Sequence, residues 1–252
     1  MGSVFSPYYA WARRRGPADP EQHCALNVAL YGAAGKRWTM TERGRRSLHR
    51  DAATLTIGPS RLAWDGDGLT IDIDEVGAPL PIRVRGRVNL TPSAVTAFRA
   101  DLDGAGRHRW WPIAPVARVT VELDRPGLRW SGAGYLDTND GDEPLEQGFA
   151  LWHWSRASLG PSTVILYDAT RRDGSRHKLA LRCAATGSVL PIEPPPALPL
   201  PRTWWRIGRA TLADPGAPTR VVATLEDTPF YARSLLATQL SGQTATAVHE
   251  SL

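Results

Sequence analysis

Two short stretches hold side chains whose types and spacing could move a proton. In "GRHRWWPIAP", residues 106–115, His108 and Trp110 stand two apart, as do Tyr135 and Asp137 in "GYLDTND". On a strand, residues i and i+2 share a face, so each pair would set one aromatic ring beside one titratable group, with Trp111 and Leu136 turned the other way. An Asp among Tyr, Trp and His in apolar surroundings has its charged form disfavoured by desolvation and keeps a proton near neutral pH. Such an acid suits protonation of an isolated, electron-rich alkene. The carbocation that results needs aromatic faces, each well-placed ring contributing about 0.5–2 kcal/mol. Trp110 and Tyr135 could supply them, and His108 could position or deprotonate the water that captures the cation. The same residues allow a plainer reading, in which Trp110 and Trp111 are core, His108 is a satisfied polar group and Asp137 opens an Asx-type turn.

For the two pairs to meet, the chain between them must fold back. "VARVTVELD" places Val119, Val121 and Leu123 on one face and offers that hairpin-like route. Strand signals recur on either side. Leu69, Ile71 and Ile73 alternate with polar residues in "LTIDID", an Asp-Gly turn joins that run to "SRLAW", and "PIRVRGRVNL" carries Ile82, Val84, Val88 and Leu90 on one face. "TVILYDATRRDGSRHKLALR" repeats the plan around Asp173-Gly174. Only "TPSAVTAFRADL" and "YARSLLATQL" read as helices. The predicted fold is therefore all-β: a lipocalin-like antiparallel β-barrel or sandwich in two lobes, able to enclose one apolar ligand. Residues 1–190 form the expected main domain with the site. "PIEPPPALPLP", 191–201, reads as a stiff linker that cannot pair within a sheet, and 202–252 as a smaller C-terminal β segment.

Other constellations carry less. "DTNDGDEPLE" resembles a calcium loop, but Gly141 stands where a ligand is needed and Asp142 where glycine is needed, so no metal is expected. "LWHWSR" sets Trp152, Trp154 and Arg156 on one face and His153 on the other, as pocket lining or as core. Ser175 and Lys178 form Ser-x-x-Lys in what reads as an exposed turn. Zinc spacing, a phosphate-binding loop and a dinucleotide fingerprint are missing.

The net charge of +5 is spread thinly, mostly on arginine, as a field suited to an anionic membrane surface or to nucleic acid and specific to neither; no nucleic-acid motif accompanies it, so no nucleic-acid partner is expected. Cys24 and Cys183 lie far apart in a chain with no leader pattern, which suggests buried thiols in a reducing cytoplasm.

Taken together, "GSVFSPYYAWARRRG", "HCALNVALYG", "RWTMTERGR", "GYLDTNDGDEPLEQGFALWHWSR", "LYDATRRDGS" and "PFYARS" resemble, in order from residue 2 to about residue 250, the carotenoid hydratases, or hydroxyneurosporene synthases, of purple photosynthetic bacteria. The resemblance implies cofactor-independent addition of water to the terminal double bond of acyclic carotenoids such as neurosporene and lycopene, giving a tertiary alcohol. It implies a lipocalin-like fold shared with natural-product cyclases, and it assigns the acid–base and cation-stabilising roles to a His-x-Trp and a Tyr-x-Asp pair: His108, Trp110, Tyr135 and Asp137 here. Trp111, Trp152, Trp154 and Tyr167 are expected to contact the substrate, and His153 has no assigned role. The protein would be cytoplasmic, touching the inner or photosynthetic membrane peripherally. Relatives continue past "AVHESL", so the C-terminal segment is expected to be shorter here or incomplete. Two other readings remain: a non-catalytic carrier of apolar ligands, and a cyclase or pericyclase on the same fold.

Overall fold

A computed structural model describes residues 1–3, 5–32 and 36–252, and divides the chain into two compact units. The first comprises Met1–Pro92 and Arg118–Gly134. It begins with helix α1 (Pro7–Arg13), which Ser6 caps by accepting a hydrogen bond from the Tyr9 amide while Pro7 takes the first helical position. Strands β1 (Val28–Leu30) and β2 (Arg37–Thr39) pair as a ribbon. Then β3 (Leu48–Arg50), β4 (Thr54–Ile57), β5 (Ser60–Trp64), β6 (Leu69–Val76) and β7 (Arg83–Pro92) pair in succession, each antiparallel to the one before. The expected Asp-Gly hairpin joins β5 to β6, with Asp65 Oδ1 accepting from the amides of Asp67 and Gly68. Ile73, Val84, Val121 and Leu123 are the core of this unit. Glu75, on the same face of β6 as Ile73, is fully buried; it accepts two hydrogen bonds from Arg43 and one from Ser60.

β8 (Ala100–Asp101) pairs with β9 (His108–Arg125), which neighbours β10 (Leu128–Gly141). The stretch 118–134 of β9 and β10 belongs to the first unit; 108–117 and 135–141 belong to the second.

The second unit comprises Ser93–Ala117 and Tyr135–Leu252. After the single turn α2 (Leu145–Gly148) come β11 (Phe149–Leu159), β12 (Ser162–Arg171), β13 (Arg176–Ala184), β14 (Val189–Pro191), β15 (Ala197–Leu200), β16 (Arg209–Leu212), β17 (Arg220–Asp227), β18 (Ala232–Leu240) and β19 (Gln243–Ser251). Seven of these make one antiparallel sheet in the order β14-β13-β12-β11-β19-β18-β17. Both of its faces are covered. On one lie Ala157, Val164, Leu166, Leu236 and Leu240; on the other Trp152, Trp154, Ile165, Tyr167 and Leu181. This explains why β12 carries an unbroken apolar run, Val164–Tyr167, inside a stretch buried from Thr163 to Ala169, where most strands alternate.

Three sequence expectations give way. "YARSLLATQL" is strand β18: its Ala, Ser and Leu residues alternate buried and half-buried, and pairing with β17 and β19 overrides the helical preference of Ala and Leu. "TPSAVTAFRADL" is not a helix either. Its backbone runs beside β9, with the Ser93 and Thr96 amides donating to Val116 and Ile113 and the Thr96 hydroxyl to Pro112. Within the proline-rich stretch, Ala197–Leu200 pairs with β16; Pro199 needs no donor because a two-stranded ribbon is all edge. Residues 191–201 lie inside the second unit, and 202–252 supply β17, β18 and β19 to its sheet. The Ser175 amide and hydroxyl both donate to Asp173, the turn expected there. Cys24 and Cys183 are buried free thiols, and burial pushes the Cys183 thiol up to about 11. Among the described residues, no helix is long and apolar enough to cross a membrane.

Candidate active site

Asp137 is the focus of the second unit. β9 and β10 run side by side, so the inward positions of one face those of the other. The Trp110 indole Nε1–H donates to Asp137 Oδ2 at 2.8 Å, and the Tyr135 hydroxyl donates to the same oxygen at 2.8 Å. Trp110 is 1% exposed, while Tyr135 and Asp137 are half-buried. Around them stand Tyr167, edge-on to Trp110 at 4.9 Å, and Trp154, tilted over Tyr135 at 5.6 Å. Desolvation among these rings pushes the Asp137 carboxyl above the usual carboxylate range, although both donors and Arg156 pull it down. The Tyr135 and Tyr167 phenols are raised well above their ordinary value, first by burial and next by the Asp137 charge.

His108 is buried on the same face of β9, two residues and so about 7 Å along the strand from Trp110. Its backbone amide donates to Asp103 Oδ2 at 2.8 Å, fixing the start of the strand, and its Nε2 lies 3.3 Å from Glu143 Oε1. Phe149 meets the imidazole at 4.9 Å. Gly148 allows this approach: a β-carbon there would stand 2.6 Å from Nε2. The imidazole is therefore bonded to Glu143, and it is Trp110 and Tyr135 that hold Asp137.

Trp152, Trp154 and Tyr167 join Trp110 in one buried cluster, with Trp152 edge-on to Tyr167 at 5.1 Å. Trp111 does not join them. Its position in β9 turns it to the opposite face, where Nε1 donates to the Thr96 carbonyl and the Arg99 guanidinium lies 4.1 Å over the ring. Asp140 and Asp142, from the calcium-like loop, both pair with Arg109. His153 also lies away from the site, bonded to Ser251 and stacked on His249.

Sequence reasoning missed Glu143 and gave Arg156 no task. Arg156 follows Trp152 and Trp154 on their face of β11, and its guanidinium lies 4.7 Å over the Tyr135 ring. Burial lowers its pKa against the opposing pull of Tyr135 and Asp137. The alternation of "LWHWSR" placed Arg156 on this face. Nothing local could signal Glu143, which reaches His108 from a turn 35 positions on.

Compared with known proteins, the chain matches the family described as "Carotenoid hydratase CrtC" across residues 1–252. The chain belongs to the carotenoid hydratase CrtC family. It is 61% identical over 253 residues to an acyclic carotenoid 1,2-hydratase of Thiocapsa roseopersicina, and 56% identical over 258 residues to one of Rubrivivax gelatinosus. Both matches take in 100% of this chain but 62% and 63% of the relatives, so the chain spans less than two thirds of the length of either. Among solved structures, kievitone hydratase of Nectria haematococca matches with a TM-score of 0.54 at 8% identity, over 87% of this chain and 75% of that one. That likeness is of fold alone: the lipocalin-like β architecture expected from the sequence. In this chain the block "GYLDTNDGDEPLEQGFALWHWSR" contains Tyr135, Asp137, Glu143, Phe149, Trp152, Trp154 and Arg156. Many of the candidate site residues thus lie in one continuous segment of the sequence.

Proposed function

We propose that the protein adds water across the terminal double bond of an acyclic carotenoid such as lycopene or neurosporene, with Asp137 as the acid. The observation that carries this reading is the convergence of two donors on one oxygen of a carboxyl whose pKa burial raises. Because Oδ2 accepts both bonds, the acidic proton of the neutral group sits on Oδ1. It passes to the hydrogen-bearing carbon of the terminal dimethyl-substituted alkene. The positive charge then develops on the carbon bearing two methyls, where a tertiary cation is the most stable, and water attacks there. The water gives up one proton in forming the alcohol, and Asp137 regains one, so substrate and water become a tertiary alcohol with no other change.

The neighbours divide the remaining work. Trp110 and Tyr135 stabilise the carboxylate left by proton transfer, as preorganised donors do at a developing charge. Arg156 supports the same carboxylate and already occupies one face of Tyr135, so cation stabilisation falls mainly to the indoles of Trp110 and Trp154. His108, held by Glu143, guides the attacking water and takes its proton, which exchange with bulk water returns to Asp137. Trp152 and Tyr167 support the apolar wall. The reaction needs no cofactor. The substrate is dissolved in lipid, so the protein works as a peripheral partner of a membrane.

A carrier of apolar ligands would use the same rings and would have no need of a raised carboxyl held by two donors. Incubation with lycopene separates the readings. A product heavier by one water supports the hydratase, an unchanged polyene held by the protein supports the carrier, and an isomer of unchanged mass supports a cyclase.

A further inference from the structure

We infer that the turn carrying Trp204 and Trp205, together with Phe230 on the adjoining β17–β18 turn, is the surface by which the protein docks on an anionic lipid membrane. The inference rests on the proposed reading only in giving the protein a lipid-dissolved substrate. These three side chains are 84%, 49% and 47% exposed, and the two indoles stand edge to face at 5.4 Å. Two indoles at adjacent positions rarely leave this much apolar surface in water.

The exposure does not come from a loose loop. The Arg206 amide donates to the Thr203 carbonyl, the Thr203 amide to the Ile207 carbonyl, and the Ile207 amide to the Thr203 hydroxyl. Arg206 takes a left-handed φ of 63° to close the turn. Asp227 Oδ2 accepts from the Trp204 and Trp205 amides at 2.8 and 3.3 Å. Asp227 is the last residue of β17, so this clamp ties the tryptophan turn to the next one, where Thr228 and Tyr231 exchange hydrogen bonds and hold Phe230 outward. The backbone is fixed and only the rings project.

Charge and area select a lipid partner. Arg202 and Arg206 flank the indoles and are both exposed, two cations beside the nearby Asp227 carboxylate, whose Oδ2 is turned to the backbone amides. Indoles settle at the headgroup level with their N–H in the wet layer, and arginines beside them meet anionic headgroups. Three partly exposed rings at two turn tips offer roughly 400 Å², about half of what each partner contributes to a stable protein contact. A small projecting cluster suits partial insertion into a bilayer interface.

The test is flotation with vesicles of phosphatidylcholine and phosphatidylglycerol at 7:3, beside pure phosphatidylcholine, on variants whose circular dichroism matches wild type. The wild type is expected to float with the anionic vesicles. The Trp204→Ser/Trp205→Ser variant should partition at least about tenfold less, and Arg202→Gln/Arg206→Gln about tenfold less on anionic vesicles only. Trp11→Ser, at an exposed tryptophan on α1, should bind as wild type. Several results would overturn the inference: no flotation of the wild type, full binding by the double-tryptophan variant, or loss of binding in Trp11→Ser instead. A dimer that the double-tryptophan variant dissolves while flotation is unchanged would make the patch a contact between copies. Hydration of detergent-solubilised lycopene is expected to survive in the double-tryptophan variant. A wild type that floats yet hydrates nothing would refute the proposed function and leave this docking surface standing.

Discussion

Opposing forces act on the Asp137 proton. Burial raises the pKa, whereas the bonds from Trp110 and Tyr135 favour the ionised form and lower it. As the proposed acid, Asp137 would work only while protonated, so the rate is expected to hold at low pH and fall as pH rises through the raised pKa. Tyr135→Phe removes one donor to the carboxylate. Its pKa should climb further and the falling limb of the pH–rate profile should move to higher pH, as read from initial rates on lycopene; a limb that moves down would contradict this assignment. Stability follows the same sign. A carboxyl whose folded pKa lies above its unfolded value lets the folded state hold the proton longer, so stability is lost as pH rises from the ordinary carboxylate range through the raised value. Asp137→Asn should therefore be at least as stable as wild type at neutral pH in urea titrations. The two i, i+2 pairs were legible from alternation alone, because strand geometry fixes which side chains share a face. Alternation also turned Trp111 away from Trp110, and naming it a substrate contact went against that geometry. Glu143 was invisible because its contact with His108 depends on how a turn folds back.

Strands with a clear period and a turn residue between them were legible: β5 with β6, and β12 with β13. β18 was not, because Ala and Leu favour a helix locally and only its place between β17 and β19 makes it a strand. Helix α1 escaped notice because seven residues give too little periodicity, although Ser6 and Pro7 mark its start. Two predictions belong to this scale. On β19, His249 is fully buried, its Nε2 bonded to the Ala210 carbonyl and its Nδ1 without a partner among the described residues. Burial pushes the imidazole from 6.5 down to about 4. Here the unfolded chain binds the proton first, so stability should fall as pH drops from about 6.5 towards 4, by roughly 3 kcal/mol for this group. Melting curves from pH 7.5 to 4.5 should show that loss, with a shallower slope in His249→Gln. On β7, Gly86 has φ +149°, and a β-carbon there would stand 2.2 Å from the Glu122 carbonyl oxygen and 2.6 Å from the Leu123 Cα. Gly86→Ala should destabilise by about 2–4 kcal/mol in urea unfolding, since a backbone neighbour cannot step aside.

At the scale of the whole molecule, every residue assigned to the reaction belongs to the second unit. The sheet faces carry different duties there: Trp152, Trp154 and Tyr167 look towards Asp137, while His153 and His249 stack on the opposite side. An all-β fold was legible from short alternating runs. The division of the chain was not, because β9 and β10 are continuous in sequence yet shared between units, and a proline-rich stretch suggested a break where β15 pairs with β16. The central claim is that Asp137 delivers the proton that starts hydration. The most direct test is to incubate lycopene with wild type and with Asp137→Asn, matched by circular dichroism and melting temperature, and to identify the products by mass. Wild type should yield a carotenoid heavier by one water, and the variant should form it at least about a hundredfold more slowly. Hydrated product at the wild-type rate from a folded Asp137→Asn protein would contradict the account.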